Sequence, residues 1–187
     1  KKKLCVSIRK KTRYYSMKQE NIMQSLKLGK ITLNVGAGKD PNMLKKGIVL
    51  LKHITGTEPV KTTTQKRLQA WGLRPGLAIG CKLTIRGKKA EELLKRLLSA
   101  NDNSLKESQF DNLGNVSFGI KEYIDIPEVK YIPEVGVMGF EVAITLERPG
   151  FRIKRRRNRP SNIGKKQLVN KKDALNFMVS KFKIEVE

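Results

Sequence analysis

The stretch from residue 79 to residue 86 constrains the fold most strongly, because apolar and polar side chains alternate along it. Its apolar side chains occupy every second position: Ile79, Cys81, Leu83 and Ile85. The alternate positions, which follow these apolar residues, include Lys82, Thr84 and Arg86. This period of two is typical of a β-strand with one face buried and the other open to solvent. The sequence therefore predicts a sheet that has one uncovered face.

Two further segments repeat this alternation. Residues 30–35 predict a strand that turns Asn34 away from the core, and residues 140–147 predict one whose outward face is acidic or neutral. Shorter patterns predict strands over residues 58–64 and from residue 116 to residue 120.

Three segments have the apolar spacing of helices. The first begins at Asp40-Pro41 and ends at Gly56, and the second covers residues 88–100. A third follows Asn170, which with Asp173 resembles a capping box. We predict an α+β fold with a mainly antiparallel sheet, helices packed on one face, basic loops and a C-terminal helix.

The domain organisation follows from charge and pattern. Residues 1–16 are predicted to be a basic N-terminal extension, and residues 17–187 a single domain that includes a basic loop over 148–170. Residues 101–115 are polar and are expected to form a long loop or a broken helix.

The chain carries a formal net charge of +23 over 187 residues, which favours an anionic partner. Only residues 101–147 reverse the sign, with nine acidic and three basic side chains. We expect this segment to be turned away from the surface that meets the partner. The uncovered sheet face, bearing Asn34, Lys82, Thr84 and Arg86, is then the natural platform for RNA.

The sequence offers few side chains for catalysis or metal binding. Cys5 and Cys81 match no zinc spacing, and His53 has no partner of catalytic type close in sequence. The Gly36-Ala37-Gly38-Lys39 turn lacks the residues of a P-loop and predicts an ordinary strand-to-helix turn, with contact to an RNA backbone as the second interpretation. No apolar run is long enough to span a bilayer, and no secretory signal is recognisable, which favours an intracellular setting. We predict no catalytic residues, no metal and no cofactor.

Two basic segments are candidates for RNA contact. The run over residues 152–159 holds six basic side chains: Arg152, Lys154, Arg155, Arg156, Arg157 and Arg159. It could be a solvated tail, a localisation signal, a membrane-surface patch or a nucleic-acid arm; its place between a strand and a helix favours an RNA-penetrating loop. In the second segment, over residues 65–77, Trp71 is either structural or stacked on a base.

Five motifs occur in a fixed order: ITLNVGAG at 31–38, ITGTEPV at 54–60, IGCKLTIRG at 79–87, FDNLGNVSFGIKE at 110–122 and IDIPE at 124–128. Together they resemble the universal ribosomal protein five family of the large subunit, over roughly residues 22–187. The segment from Arg148-Pro149-Gly150-Phe151 to the last helix resembles the archaeal and eukaryotic branch, and residues 110–127 look more archaeal.

The resemblance implies a structural, non-enzymatic protein of the cytoplasmic large ribosomal subunit that binds 5S ribosomal RNA in the central protuberance. It implies RNA contacts for Asn34 and Thr84, and it places Thr57 where a glutamine is common. Lys82 and Arg86, which lie nearby in the sequence, are predicted to contact phosphates of the same RNA. The implied partners are 5S RNA, large-subunit RNA, peptidyl-site tRNA and neighbouring ribosomal proteins. No membrane is expected among the partners.

The loop over residues 63–78 would approach the peptidyl-site tRNA. Its candidate contacts, chosen for charge and stacking, are Lys66, Arg67, Trp71 and Arg74. The alternatives are an extra-ribosomal RNA chaperone or regulatory RNA-binding module, and an RNA-processing enzyme, which would need a nucleophile or a metal cluster.

Overall fold

The computed structural model describes residues 21–186, so the predicted extension over residues 1–16 lies outside the described residues. The strands are β1 (Lys27–Gly36), β2 (Val60–Thr63), β3 (Ala78–Ile85), β4 (Ser104–Leu105), β5 (Asn115–Ile120), β6 (Phe140–Glu147) and β7 (Glu185–Val186). The helices are α1 (Pro41–Thr55), α2 (Lys88–Ser99), α3 (Arg152–Arg155) and α4 (Lys171–Phe182). The predicted α+β class is confirmed.

The main sheet has five strands in the order β2-β3-β1-β6-β5, and every neighbouring pair is antiparallel. β1 lies in the middle, with β3 on one side and β6 on the other. The chain therefore places a strand made late in the sequence beside its first strand. A second, parallel pair joins β4 to β7.

The two predicted helices α1 and α2 cover one face of the sheet. They bury the inward side chains of β1 and β3, among them Ile31, Leu33 and Leu83, against leucines of both helices. Gly47 lets α1 approach β1 closely, since a Cβ there would lie 2.9 Å from Cγ1 of Val35. α1 ends at Gly56, whose φ of 69° is the left-handed conformation that glycine adopts readily.

The C-terminal helix α4 packs Ala174 and Met178 into the same core. Its predicted capping box is wrong, because the Asn170 side chain makes no capping hydrogen bond. The Asp173 carboxylate instead accepts a hydrogen bond from Arg148, with 2.7 Å between Nη2 and Oδ2. A charge-assisted contact of this kind is stronger than a neutral cap.

The predicted loop over residues 101–115 contains more structure than expected. It includes β4 and a 3₁₀ turn at Glu107–Gln109. Within residues 21–186, no helix is both long and apolar enough to cross a membrane.

Candidate nucleic-acid interface

The side of the main sheet opposite α1 and α2, called here the outward face, is lined by alternate residues of its five strands. In β1 and β3 the register pairs Asn34 with Lys82 and Thr32 with Thr84. These four side chains therefore share one face, as the sequence pattern predicts. Lys82 and Thr84 are exposed, and Thr32 and Asn34 are half-buried. The structure brings together three of the predicted RNA contacts.

The outward face is low in relief because many of its side chains are short. Thr32, Thr84, Ala143 and Ser117 lie in one row across β1, β3, β6 and β5. Gly80 of β3 approaches β1 so closely that a Cβ would lie 2.6 Å from the Val35 carbonyl oxygen. A surface of this shape allows a planar base or a sugar-phosphate chain to come near the backbone.

The acidic strand β6 lies on this same face, beside β1. Its register pairs Glu141 with Asn34 and Ala143 with Thr32. The Asn34 amide donates a hydrogen bond to the Glu141 carboxylate, with 3.1 Å between Nδ2 and Oε2. The expectation that residues 101–147 turn away from the basic surface is therefore wrong for β6. The alternation in β6 assigned Glu141 to an outward position but not to a neighbour of Asn34.

Thr57 and Arg86 lie beyond the ends of the strands. Thr57 is exposed between α1 and β2, and its backbone N–H donates to Oγ1 of Thr55 at 3.3 Å. Arg86 is exposed directly after β3. Both side chains are accessible, but neither belongs to the rows of paired residues.

The loop over residues 63–78 joins β2 to β3 and is closed at its base. Oγ1 of Thr64 donates to the Arg74 carbonyl oxygen at 2.8 Å, and a two-residue bridge links Leu68 to Leu73. The loop's predicted contacts all point to solvent: Lys66, Arg67, Trp71 and Arg74. Trp71 is 70% exposed, so its indole is not part of the core. The structural alternative for Trp71 is therefore disfavoured.

The basic loop over residues 148–170 is anchored at both ends and exposed between them. The Arg148 guanidinium donates to the Asp173 carboxylate and, from Nη1, to the Lys166 carbonyl oxygen at 3.2 Å. All six basic side chains predicted there are exposed: Arg152, Lys154, Arg155, Arg156, Arg157 and Arg159.

Two of these six side chains are also engaged within the protein. Arg155 pairs with Glu147, which leaves the Glu147 side chain only 16% exposed. Arg156 Nε donates to the Arg159 carbonyl oxygen at 2.8 Å. The sequence signal identified the positive charge but could not show which guanidinium groups also shape the loop.

The parts for catalysis or metal binding are sparse in the described portion of the chain. Residues 21–186 hold no group of three or more His, Cys, Asp or Glu side chains that could bind a metal ion. His53 is exposed on α1. Cys81 lies on the inward side of β3, where burial raises the pKa of its thiol and so disfavours the nucleophilic thiolate.

Three outward residues were absent from the predicted contacts. Lys30 and Thr32 lie on the same side of β1 as Asn34. Their alternation with Ile31 in the sequence was sufficient to predict this. Val60 of β2 pairs with Lys82 and is 64% exposed despite its apolar side chain. Its position was not predictable before the pairing of β2 was known.

Two family models match consecutive parts of the chain. The model described as "Ribosomal protein L5" matches residues 21–74, and a second model, which describes the C-terminus of the same ribosomal family, matches residues 78–177. Together they span the sheet, the helices on its inner face and most of α4. These matches confirm the resemblance that the five motifs indicated.

The chain is also similar to archaeal proteins named "Large ribosomal subunit protein uL5". It is 44% identical over 167 residues to that of Sulfurisphaera tokodaii, with 89% of this chain and 94% of the relative covered. It is 43% identical to that of Sulfolobus acidocaldarius, with 90% and 95% covered. It is 39% identical to that of Nitrosopumilus maritimus, with 91% and 99% covered.

Proposed function

We propose that this chain, which belongs to the ribosomal protein L5 family, binds 5S ribosomal RNA with the outward face of its sheet and holds that RNA in the central protuberance. Its role is structural and ribosomal, not enzymatic, and its place is the cytoplasmic large subunit. The observation that carries the finer proposal is the common face of Asn34, Lys82 and Thr84, which α1 and α2 leave uncovered.

Two kinds of contact divide the work on this face. Lys82 and Arg86 neutralise phosphates, which adds affinity and positions the RNA without reading its sequence. Asn34 and Thr84 form hydrogen bonds to bases or 2′-hydroxyl groups, which select the fold of the RNA. Thr57 supplies a hydroxyl that donates or accepts, and it replaces the longer amide of a glutamine.

The loop over residues 63–78 contacts peptidyl-site tRNA during translation. Lys66, Arg67 and Arg74 provide charge for its phosphates, and the exposed Trp71 provides a stacking surface. The closed base of this loop supports the proposal, because a loop with fixed ends loses less conformational entropy on binding.

The basic loop over residues 148–170 contacts large-subunit ribosomal RNA. Its anchoring by Arg148 supports this proposal in the same way, because the exposed arginines are presented from a held base. Arginine favours phosphate contact here because its planar guanidinium donates two parallel hydrogen bonds. Neighbouring ribosomal proteins are the remaining proposed partners.

The rival proposal is an RNA chaperone or regulatory module that works outside the ribosome. It would use the same face and the same loops, so RNA binding alone does not separate the two. Sucrose-gradient fractionation of native cell extract, with immunoblotting for this chain, does. We expect the chain in large subunits after a wash at moderate salt. Recovery only in light fractions would contradict the ribosomal proposal and favour the rival.

A further inference from the structure

One carboxylate lies in the middle of the outward face, where a surface for phosphate should carry none. Glu141 is exposed, and its register places it in a row that runs Lys82, Asn34, Glu141 and Gly119 across four strands. The ion pairs formed among residues 21–186 do not include Glu141. Lys82 lies two strands away, at roughly 10 Å between backbones.

Glu147 is the other carboxylate on the outward side of β6, and its charge is neutralised within the protein. It pairs with Arg155 and is largely covered. Among residues 21–186 no side chain covers Glu141 in this way, and its negative charge opposes the approach of phosphate. A contact with phosphate therefore does not account for it.

Because the Asn34 amide donates to Glu141, the atoms of this pair that remain available to a ligand are mainly hydrogen-bond acceptors. One N–H of the Asn34 amide is used by Oε2 of Glu141, which directs the amide oxygen away from the carboxylate. Oε1 of Glu141 makes no hydrogen bond within residues 21–186, and a carboxylate has about four acceptor positions in total. Two carboxylate oxygens can accept two parallel N–H groups from one planar partner.

The space beside Glu141 is open on the side of β5. Gly119 stands directly opposite Glu141, and a Cβ built at Gly119 would meet no atom of residues 21–186 within 4 Å. Ala143, two residues along β6, adds only a methyl group to the same face. A flat ring can therefore approach the carboxylate edge-on without displacing a side chain.

Among the four RNA bases, guanine matches this geometry. Its Watson–Crick edge presents two adjacent donors, N1–H and N2–H, whereas adenine and cytosine place an acceptor beside their amino group. Uracil presents a single N–H between two carbonyl oxygens. The second oxygen of a carboxylate would repel these acceptors. Because pairing hides the guanine edge, the base must be unpaired, as is usual in sequence-specific recognition of RNA.

We propose that Glu141, held beside Asn34, determines specificity by accepting hydrogen bonds from the Watson–Crick edge of an unpaired guanine in the bound RNA. This inference rests on the proposed function, because it requires RNA on the outward face. It assigns to the acidic strand a base contact in place of a phosphate contact. Asn34 thereby becomes a positioning residue for the carboxylate in addition to its own contact.

The test compares Glu141→Gln with Glu134→Gln, which removes the same charge from an exposed loop position. Glutamine at 141 keeps one oxygen for Asn34 but replaces the second acceptor by a donor. If Glu141 only orients Asn34 or repels phosphate, E141Q binds 5S RNA as well as E134Q or more tightly. We expect E141Q to bind about tenfold more weakly than E134Q, the effect of losing a base contact.

A chemical footprint identifies the base. Kethoxal modifies the N1 and N2 atoms of unpaired guanines, which are the atoms that this carboxylate would cover. The wild-type chain should protect at least one such guanine in 5S RNA, and E141Q should leave it reactive while other protections persist. Equal guanine protection by both proteins would overturn the inference.

An RNA variant makes the test independent of protein folding. Inosine lacks the N2 amino group, so its substitution at the protected guanine should weaken wild-type binding about tenfold and leave E141Q binding nearly unchanged. An equal loss for both proteins would overturn the inference. Failure of the wild-type chain to bind 5S RNA at all would instead contradict the proposed function.

Discussion

The two halves of the outward face share a backbone and a buried inner side, yet they carry opposite chemistry. The β3–β1 half presents Lys82, Thr84 and Lys30, whereas the β6–β5 half presents Glu141 and the small residues Ala143 and Ser117. The boundary runs between β1 and β6, where Asn34 and Glu141 are hydrogen-bonded. Charge in this protein is therefore sorted by strand within one surface, and not simply between the front and the back of the molecule.

This difference suggests a division of labour on one RNA. Under the proposed function, the basic half would supply affinity that salt weakens, and the acidic half would supply discrimination that salt affects little. A uniformly basic face would bind many RNAs at similar strength, whereas a carboxylate penalises every orientation that brings phosphate to it. The halves can be separated by experiments on each.

The largest expected effect is that of salt on the complex with 5S RNA. If six to ten phosphates are engaged, affinity should fall by roughly 10³–10⁵ between about 50 and 200 mM salt. A titration of purified protein at several salt concentrations measures the slope. A nearly flat response would show that the basic half does not work through phosphates.

The inner side should respond alike in both halves. Leu83 of β3 and Leu146 of β6 are both buried, so Leu83→Ala and Leu146→Ala should each lower the free energy of unfolding by about 2–5 kcal/mol. Denaturant unfolding followed by circular dichroism measures the loss. A marked difference between the two variants would mean that the halves also differ in how they are supported.

Loss of cations from the basic half should reduce both affinity and salt dependence. The double change Lys82→Ala and Arg86→Ala should reduce the slope of log affinity against log salt concentration by about two units. It should weaken the binding of 5S RNA and of other RNA sequences to a similar extent. The matched control, Lys45→Ala with Lys89→Ala, removes two exposed lysines from α1 and α2 on the opposite side. Equal effects of the two double variants would show that overall charge, not this face, binds the RNA.

The smallest effects should come from the polar side chains of β1 and β3. Asn34→Ala and Thr84→Ala should each weaken 5S RNA by about fivefold, the value of one hydrogen bond, with less effect on an unrelated duplex. Competition binding with both RNAs measures the ratio. If both RNAs lose affinity equally, these residues support the sheet and do not select the RNA.

Much of the fold was predictable because alternation and helical spacing report which side of an element is buried. The patterns at residues 30–35, 79–86 and 140–147 assigned inward and outward side chains correctly. Gly56 marked the end of α1 for a conformational reason that is local to the chain. Each of these signals is contained in a few consecutive residues.

The arrangement of the strands was not predictable in the same way. A period of two places Glu141 on the outward face, but it does not say that β6 is the neighbour of β1. The pair β4 and β7 was missed because two residues are too few to show a period. The capping box was wrong because the Asn170 side chain makes no capping hydrogen bond and the Asp173 carboxylate pairs with Arg148, a partner that is distant in the sequence.

The central position of β1 also determines when each of its two edges can be paired during synthesis of the chain. Its partner β3 is complete at Ile85, but β6 is complete only at Glu147, about sixty residues later. At translation rates of about 5–20 residues per second, one edge of β1 stays open for roughly 3–12 s. An open edge can pair with a foreign strand, so the nascent protein stays prone to misassembly through that interval and becomes protected once β6 has docked.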